Sequence, residues 1–289
     1  MDRRLGALAL TALLLLSGCS FLGAAPTGPG AGTATSTTTP PATTSPTNGG
    51  GGSATPTDGD TTSPTVTPEP LPGGYGPSGV DNLSVALQSH RTALVDSGSF
   101  TISYRATLLT SDGQSAITAV RTTNVTQQRG YEATNISNGP VRERFVDNGT
   151  AYVRTDPVDG DAYYNRSSSV VYDPRRYTAT ELVRPALENV TYKNAERIER
   201  ANRTFFRYRV SRVENLQSLL GSSVNPANVT SFDAAMVVAA DGSIQRVGYQ
   251  ATVDRGGEEF TVQVRIDLVQ QGGVNLGEPA WLDEAKQSG

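Results

Sequence analysis

Residues 258–271, EEFTVQVRIDLVQQ, alternate almost without a break. Phe260, Val262, Val264, Ile266 and Leu268 fall on one side, Glu259, Thr261, Gln263, Arg265 and Asp267 on the other. Successive side chains of an extended chain point to opposite faces, so this is a long strand with one buried and one wet face. Residues 99–109, SFTISYRATLL, repeat the pattern, with Phe100, Ile102, Tyr104, Ala106 and Leu108 opposite Ser99, Thr101, Ser103, Arg105 and Thr107. In residues 204–213, TFFRYRVSRV, Phe206, Tyr208 and Val210 oppose Arg207, Arg209 and Ser211. Turn residues punctuate these runs at TSDGQS (110–115), Asn148-Gly149, Asn202 and Asp241-Gly242, the chemistry of tight hairpins.

Working outward, VDNLSVALQSHRTALVDSG (80–98) has a helical period, with Val80, Leu83, Leu87, Leu94 and Val95 near one face and Gly98 as the stop. His90 lies on or beside that stripe and reads as a packed helix residue. Further helical inserts are expected in TATELVRPALENV (178–190), where Pro185 should kink or split the helix, and in ENLQSLLGSS (214–223). GEPAWLDEA (277–285) predicts one closing turn with Trp281 packed inward. The fold class is therefore α+β, mainly antiparallel β. One large curved sheet, a half-open barrel of about ten strands with the inserted helices on its concave face, satisfies the pattern. A closed barrel and a two-sheet sandwich satisfy the alternation as well.

The N-terminus is of another kind. A basic start, Met1-Asp2-Arg3-Arg4, precedes the short apolar run LGALALTALLLL and the small residues Ser17 and Gly18, the layout of a secretory signal peptide over residues 1–18. The run is shorter than the roughly 20 apolar residues of a membrane-spanning helix. Leu16-Ser17-Gly18-Cys19 resembles the lipobox of bacterial and archaeal lipoproteins, which implies lipid attachment at Cys19. Arg3-Arg4 fits twin-arginine export only loosely, so either export route stays open. Cys19 is the one cysteine of the 289 residues, which leaves the rest of the chain without a disulfide. Residues 19–78 then form a Thr/Pro/Ser/Gly-rich stretch too poor in apolar side chains to fold, a disordered tether with the composition of a glycosylated stalk. Residues 79–289 are the folded domain. The expected localisation is the outer face of the cell membrane, lipid-anchored and extracellular.

Eight of fourteen asparagines, Asn82, Asn124, Asn135, Asn148, Asn165, Asn189, Asn202 and Asn228, begin N-x-[ST] and are candidate glycosylation sites. The formal net charge of −4 argues against nucleic acid as a partner. Only two lysines stand against 22 arginines, a bias like that of halophilic proteins.

Signals for catalysis are poor. A single histidine and one anchored thiol give no metal site and no thiol nucleophile, and neither a nucleophile elbow nor a phosphate-binding glycine loop occurs. Asp156, Asp159 and Asp161 flank Gly160 without the spacing of a calcium loop. YDPRRY (172–177) sets Arg175 and Arg176 between tyrosines, where they read as a loop or as a grip for an anionic head group. The reading is a non-enzyme, without metal or cofactor, monomeric, with a membrane, an apolar ligand and an envelope protein as candidate partners.

The lipobox, the tether, a helix ending before SFTISYRATL, the hairpins through YVRTD and FFRYRVSRV, and the final strands leading to NLGEPAWLDEA together resemble the LolA/LppX-type lipoprotein-carrier superfamily. They are also similar to a group of lipoproteins of halophilic archaea. The resemblance implies a sheet and helices enclosing an apolar cavity that carries acyl chains or a lipoprotein's lipid; the expected ligand here is a lipid or a lipoprotein acyl or isoprenoid chain. Phe100, Ile102, Tyr104, Leu108, Phe206, Tyr208, Val262, Val264 and Ile266 are the candidate lining. The alternative is a structural or interaction module of the envelope, in which the same side chains are simply core.

Overall fold

In the computed structural model, which describes residues 70–288, eleven antiparallel strands form one continuous sheet. A first meander comprises β3 (Ser99–Thr110), β4 (Gly113–Asn124), β5 (Arg129–Ile136), β6 (Val141–Asp147), β7 (Thr150–Asp156) and β8 (Tyr163–Ser167). A second comprises β9 (Val190–Arg200), β10 (Arg203–Val213), β11 (Val229–Ala239), β12 (Ile244–Arg255) and β13 (Glu258–Gln271). The meanders join where β13 pairs with β3, placing Ile266 opposite Tyr104 and Val262 opposite Leu108. The sheet order is β8-β7-β6-β5-β4-β3-β13-β12-β11-β10-β9. Strands β8 and β9 are consecutive in the chain yet form the two edges, so the sheet is a half-open barrel and neither a closed barrel nor a sandwich.

The tight turns form where Gly and Asn permit a left-handed backbone. Asn148 and Gly149 join β6 to β7 at φ 45° and 76°, and Ala201 and Asn202 join β9 to β10 at φ 50° and 59°. A two-stranded ladder, β1 (Tyr75–Gly76) with β2 (Gly79–Val80), precedes the first helix. It lies on edge strand β9, where the Ala195 N–H donates to the Pro77 carbonyl at 2.8 Å. One sheet edge is thereby covered, a common protection for exposed strand groups.

Among the described residues, four α-helices accompany the sheet: α1 (Leu83–Asp96), α2 (Thr180–Asn189), α3 (Leu216–Leu220) and α4 (Leu282–Gln287). Asn82 caps α1, its side-chain oxygen accepting from the Val85 N–H at 3.1 Å. The buried face of α1 is Ala86, Leu87, His90 and Leu94, so His90 sits at the centre of the stripe while Leu83 and Val95 lie at its margin. Helix α2 runs through Pro185 as one element, because Val183, Ala186 and Leu187 on either side of it are held in the core. Tyr249 on β12 fastens α3 by donating to the Leu219 carbonyl at 2.8 Å.

The helices divide between the two faces of the sheet. Residues of α1, α2 and α3 share the main core with β3, β4 and β9–β13. Helix α4 packs on the opposite face of the first meander, where Trp281, Leu282 and Ala285 meet Phe145, Tyr152 and Leu276 in a separate cluster. Trp281 does pack inward, onto this second core. No helix among the described residues is long and apolar enough to cross a membrane. Cys19 and nearly all of the expected tether lie outside the described residues.

Candidate ligand-binding interior

All nine residues singled out from the strand pattern lie on the helix-covered face. Phe100, Ile102, Leu108, Phe206, Tyr208, Val262, Val264 and Ile266 are buried, and Tyr104 packs against them half-buried. The strand registers bring them together. On β3 and β13 they interleave directly, while Phe206 and Tyr208 on β10 reach the same surface through Val238 and Met236 of β11. Their covering is supplied by Leu87 and Leu94 of α1, Val183 and Leu187 of α2, and Leu219 and Leu220 of α3. Fully burying an aliphatic or aromatic side chain of this kind contributes ~1.5–3 kcal/mol, and this face therefore dominates the stability of the domain.

Tyrosines mark one end of this interior. The rings of Tyr75 and Tyr208 stack at 6.1 Å, and Tyr192 meets Tyr208 edge-on at 6.3 Å. The Tyr192 hydroxyl donates to the Ala186 carbonyl at 3.3 Å. The Tyr75 and Tyr208 hydroxyls are buried with no hydrogen-bond partner among the described residues. Burial pushes the Tyr208 hydroxyl up to about 12, and raises Tyr75 and Tyr192 further. Buried phenols left unpaired are costly, and strand alternation gave no warning of them.

His90 locks the roof. Its Nδ1 accepts from the Ile244 N–H at 3.0 Å, which leaves the proton on Nε2, donated to the Thr178 carbonyl at 3.1 Å. Burial pushes the imidazole down to about 4, so the ring is neutral. It ties α1 to β12 and to the 3₁₀ turn Pro174–Thr178, and its role is positional.

The helix side of the first meander has a different character. Arg121 on β4 stands opposite Glu132 on β5, and Glu132 stands opposite Arg144 on β6. Glu132 gathers Arg121 at 3.5 Å, Arg144 at 3.6 Å and Arg176 at 3.2 Å. Glu181 of α2 pairs with Arg121, and Arg144 reaches the Tyr177 hydroxyl at 3.4 Å. Of the pair in YDPRRY, Arg176 thus joins this cluster while Arg175 turns outward to Asp173 at 2.9 Å. The signal for this wall was present in VRERFVD (141–147), whose Arg142 and Arg144 share one face. Without the sheet order, that face could not be assigned to the interior.

The sequence of residues 47–285 matches the model of a family of unknown function, DUF7537. The chain belongs to that family. No curated protein matches it. Among solved structures, a LolA superfamily protein from Nitrosomonas europaea is similar at 6% identity and a TM-score of 0.20, covering 65% of this chain and 94% of that one. A DUF1329 family protein from Desulfovibrio piger matches at 8% and 0.27, covering 71% and 98%. The lipoprotein LppX from Mycobacterium tuberculosis matches at 10% and 0.24, covering 67% and 99%. The half-open sheet stands on its own strand order.

The eight sequons of this family member occupy three kinds of position. Asn135 and Asn165 are exposed on strands, and Asn148 and Asn202 are exposed in turns. Asn82 caps α1 through its oxygen, and Asn228 is half-buried at the end of a 3₁₀ turn. Asn124 and Asn189 are half-buried and commit the amide nitrogen itself, donating to the carbonyls of Val274 at 3.1 Å and Pro185 at 2.9 Å.

Proposed function

We propose that the protein is a lipid-anchored component of the outer cell surface, attached through Cys19, whose helix-covered half-barrel binds an apolar ligand such as a lipid or a lipoprotein acyl or isoprenoid chain. The reading includes a carrier role and no catalysis. The observation that carries it is the pair of buried hydroxyls of Tyr75 and Tyr208, without a hydrogen-bond partner among the described residues, at the end of a continuous apolar surface. An apolar ligand with one ester or amide carbonyl, seated against Val262, Val264 and Phe206, would accept from them and remove the cost of leaving them unpaired. Cys19 and the apolar run before it support the anchor, and the exposed sequons support an extracellular setting.

The near-complete burial of the nine lining residues favours a second reading, an envelope module with a filled core that contacts another protein. Native mass spectrometry of the chain from residue 20 onward, purified without detergent, separates the two. A discrete lipid-sized excess lost on denaturation supports the ligand reading. A bare mass that persists after incubation with membrane lipid extract would transfer the assignment to the interaction module.

A further inference from the structure

The helix-side face of the sheet changes chemistry along its width. From β10 to β3 it is apolar, and across β4, β5 and β6 it becomes cationic. Four guanidiniums, of Arg121, Arg142, Arg144 and Arg176, belong to this second part, against the two carboxylates of Glu132 and Glu181. Arg142 shares the face of Arg144, stands opposite Thr134 on β5 and Thr155 on β7, and has no ion pair among the described residues. Two positions further along β5, Ile136 stands opposite Ile117 of β4, and both belong to the apolar core or pack on it. Excess positive charge and core are therefore one strand pair apart.

The Arg142 and Arg176 side of this wall reaches solvent, while Arg121 is buried. Arg142 and Arg144 are half-buried, and Arg176 has half its side chain exposed. The 3₁₀ turn Pro174–Thr178 contacts β4 and β5. A partly desolvated guanidinium without a carboxylate, as Arg142 is among the described residues, is strongly attracted to an anion, and its planar fork suits phosphate or carboxylate oxygens. Arg144 and Arg176 share Glu132 with Arg121, so one carboxylate faces several guanidiniums and positive charge remains beside Arg142.

The geometry points to an anion-binding site formed by Arg142, Arg144 and Arg176, which receives the phosphate or carboxylate head of an amphiphile whose apolar chain enters the core beside Ile117 and Ile136. This rests on the ligand reading proposed above and adds a charge requirement to it. Thr134 and Thr155, opposite Arg142, offer hydroxyls to the same oxygens.

The test is calorimetric titration of the full chain, held in a neutral maltoside, with dihexanoyl phosphatidylglycerol, dihexanoyl phosphatidylcholine and inorganic phosphate. The anionic lipid is expected to bind at least ~10-fold more tightly than the zwitterionic one, and Arg142→Gln to remove about that advantage. Arg175→Gln, which alters a guanidinium on the same turn but outside the wall, is expected to leave both affinities unchanged. If phosphate alone binds as tightly as the anionic lipid and with the same Arg142 dependence, the site is confirmed and its ligand is a free anion. Equal affinity for the two lipids, untouched by Arg142→Gln, overturns the anion site and leaves the apolar-ligand reading intact. Failure of all three probes to bind overturns both.

Discussion

The Nδ1 of His90 accepts the backbone N–H of Ile244 at 3.0 Å, across 154 residues of chain. The only histidine of the protein thereby closes the helical roof on the first residue of β12. It does so as a neutral ring: burial outweighs the Thr178 carbonyl and Asp241, which favour the cation, while Arg91 opposes it.

This fixes a pH dependence. In the unfolded chain the imidazole takes up a proton near its ordinary 6.5, but in the fold only near about 4. Between those values the unfolded state binds more protons, so stability is complete above about 6.5 and declines as pH falls towards 4. The separation is worth on the order of 3 kcal/mol. Urea unfolding at pH 7 and pH 4.5 should show the loss. His90→Gln, less stable at pH 7, should show a shallower slope between these pH values. An unchanged slope in the variant would assign the acid sensitivity to carboxylates.

The Tyr208 hydroxyl makes the opposite kind of prediction. Tyr208→Phe keeps the ring against Tyr75 and Tyr192 and removes an unpaired donor, so unfolding free energy should stay level or rise by up to ~1 kcal/mol. Tyr192→Phe removes a hydrogen bond to Ala186 and should cost ~1 kcal/mol. Chemical denaturation of the two variants side by side reads the difference. A loss in Tyr208→Phe as large as that in Tyr192→Phe would mean that the Tyr208 hydroxyl is satisfied in solution.

Gly130 is set by close approach. A Cβ there would stand 2.0 Å from Cζ of Tyr177, beneath the cationic wall. Gly130→Ala should destabilise by about 1–3 kcal/mol through overpacking, whereas Gly277→Ala, which meets nothing within 4 Å, should be close to neutral. Thermal unfolding distinguishes them. Tyr177→Leu in the Gly130→Ala background should recover part of the loss, and an absence of recovery would place the cause in the β5 backbone.

Glycopeptide mapping of the native protein should find sugar at Asn135, Asn148, Asn165 and Asn202, whose amides face solvent. Asn124 and Asn189 should be unmodified, because their nitrogens are hydrogen-bonded to backbone carbonyls. High occupancy at Asn124 would mean that its contact to Val274 forms only after modification or not at all.

Much of the fold was legible in the residues because the signals are local. Period-two alternation in residues 99–109 and 258–271 named the buried face of β3 and β13 before any pairing was known, since the pleat alone decides which side a residue occupies. Asn148-Gly149 and Asp241-Gly242 marked hairpins because few other residues accept a left-handed backbone. That Phe100, Ile102, Val262, Val264 and Ile266 share one buried face was legible for the same reason.

What only the tertiary structure decided depends on strand order and on contacts across the whole chain. The joining of β13 to β3, and the separation of β8 from β9, choose a half-open sheet over a closed one, and no local pattern encodes that choice. The partner of His90, the unpaired Tyr75 and Tyr208, and the facing of Arg142 and Arg144 into the interior follow from the same global arrangement. On β3 and β13 the apolar side of the alternation is the inside, but on β5 and β6 charged residues stand on both faces. There only the packed sheet tells which side is inside, because burial is a property of what lies above a face and not of the strand that forms it.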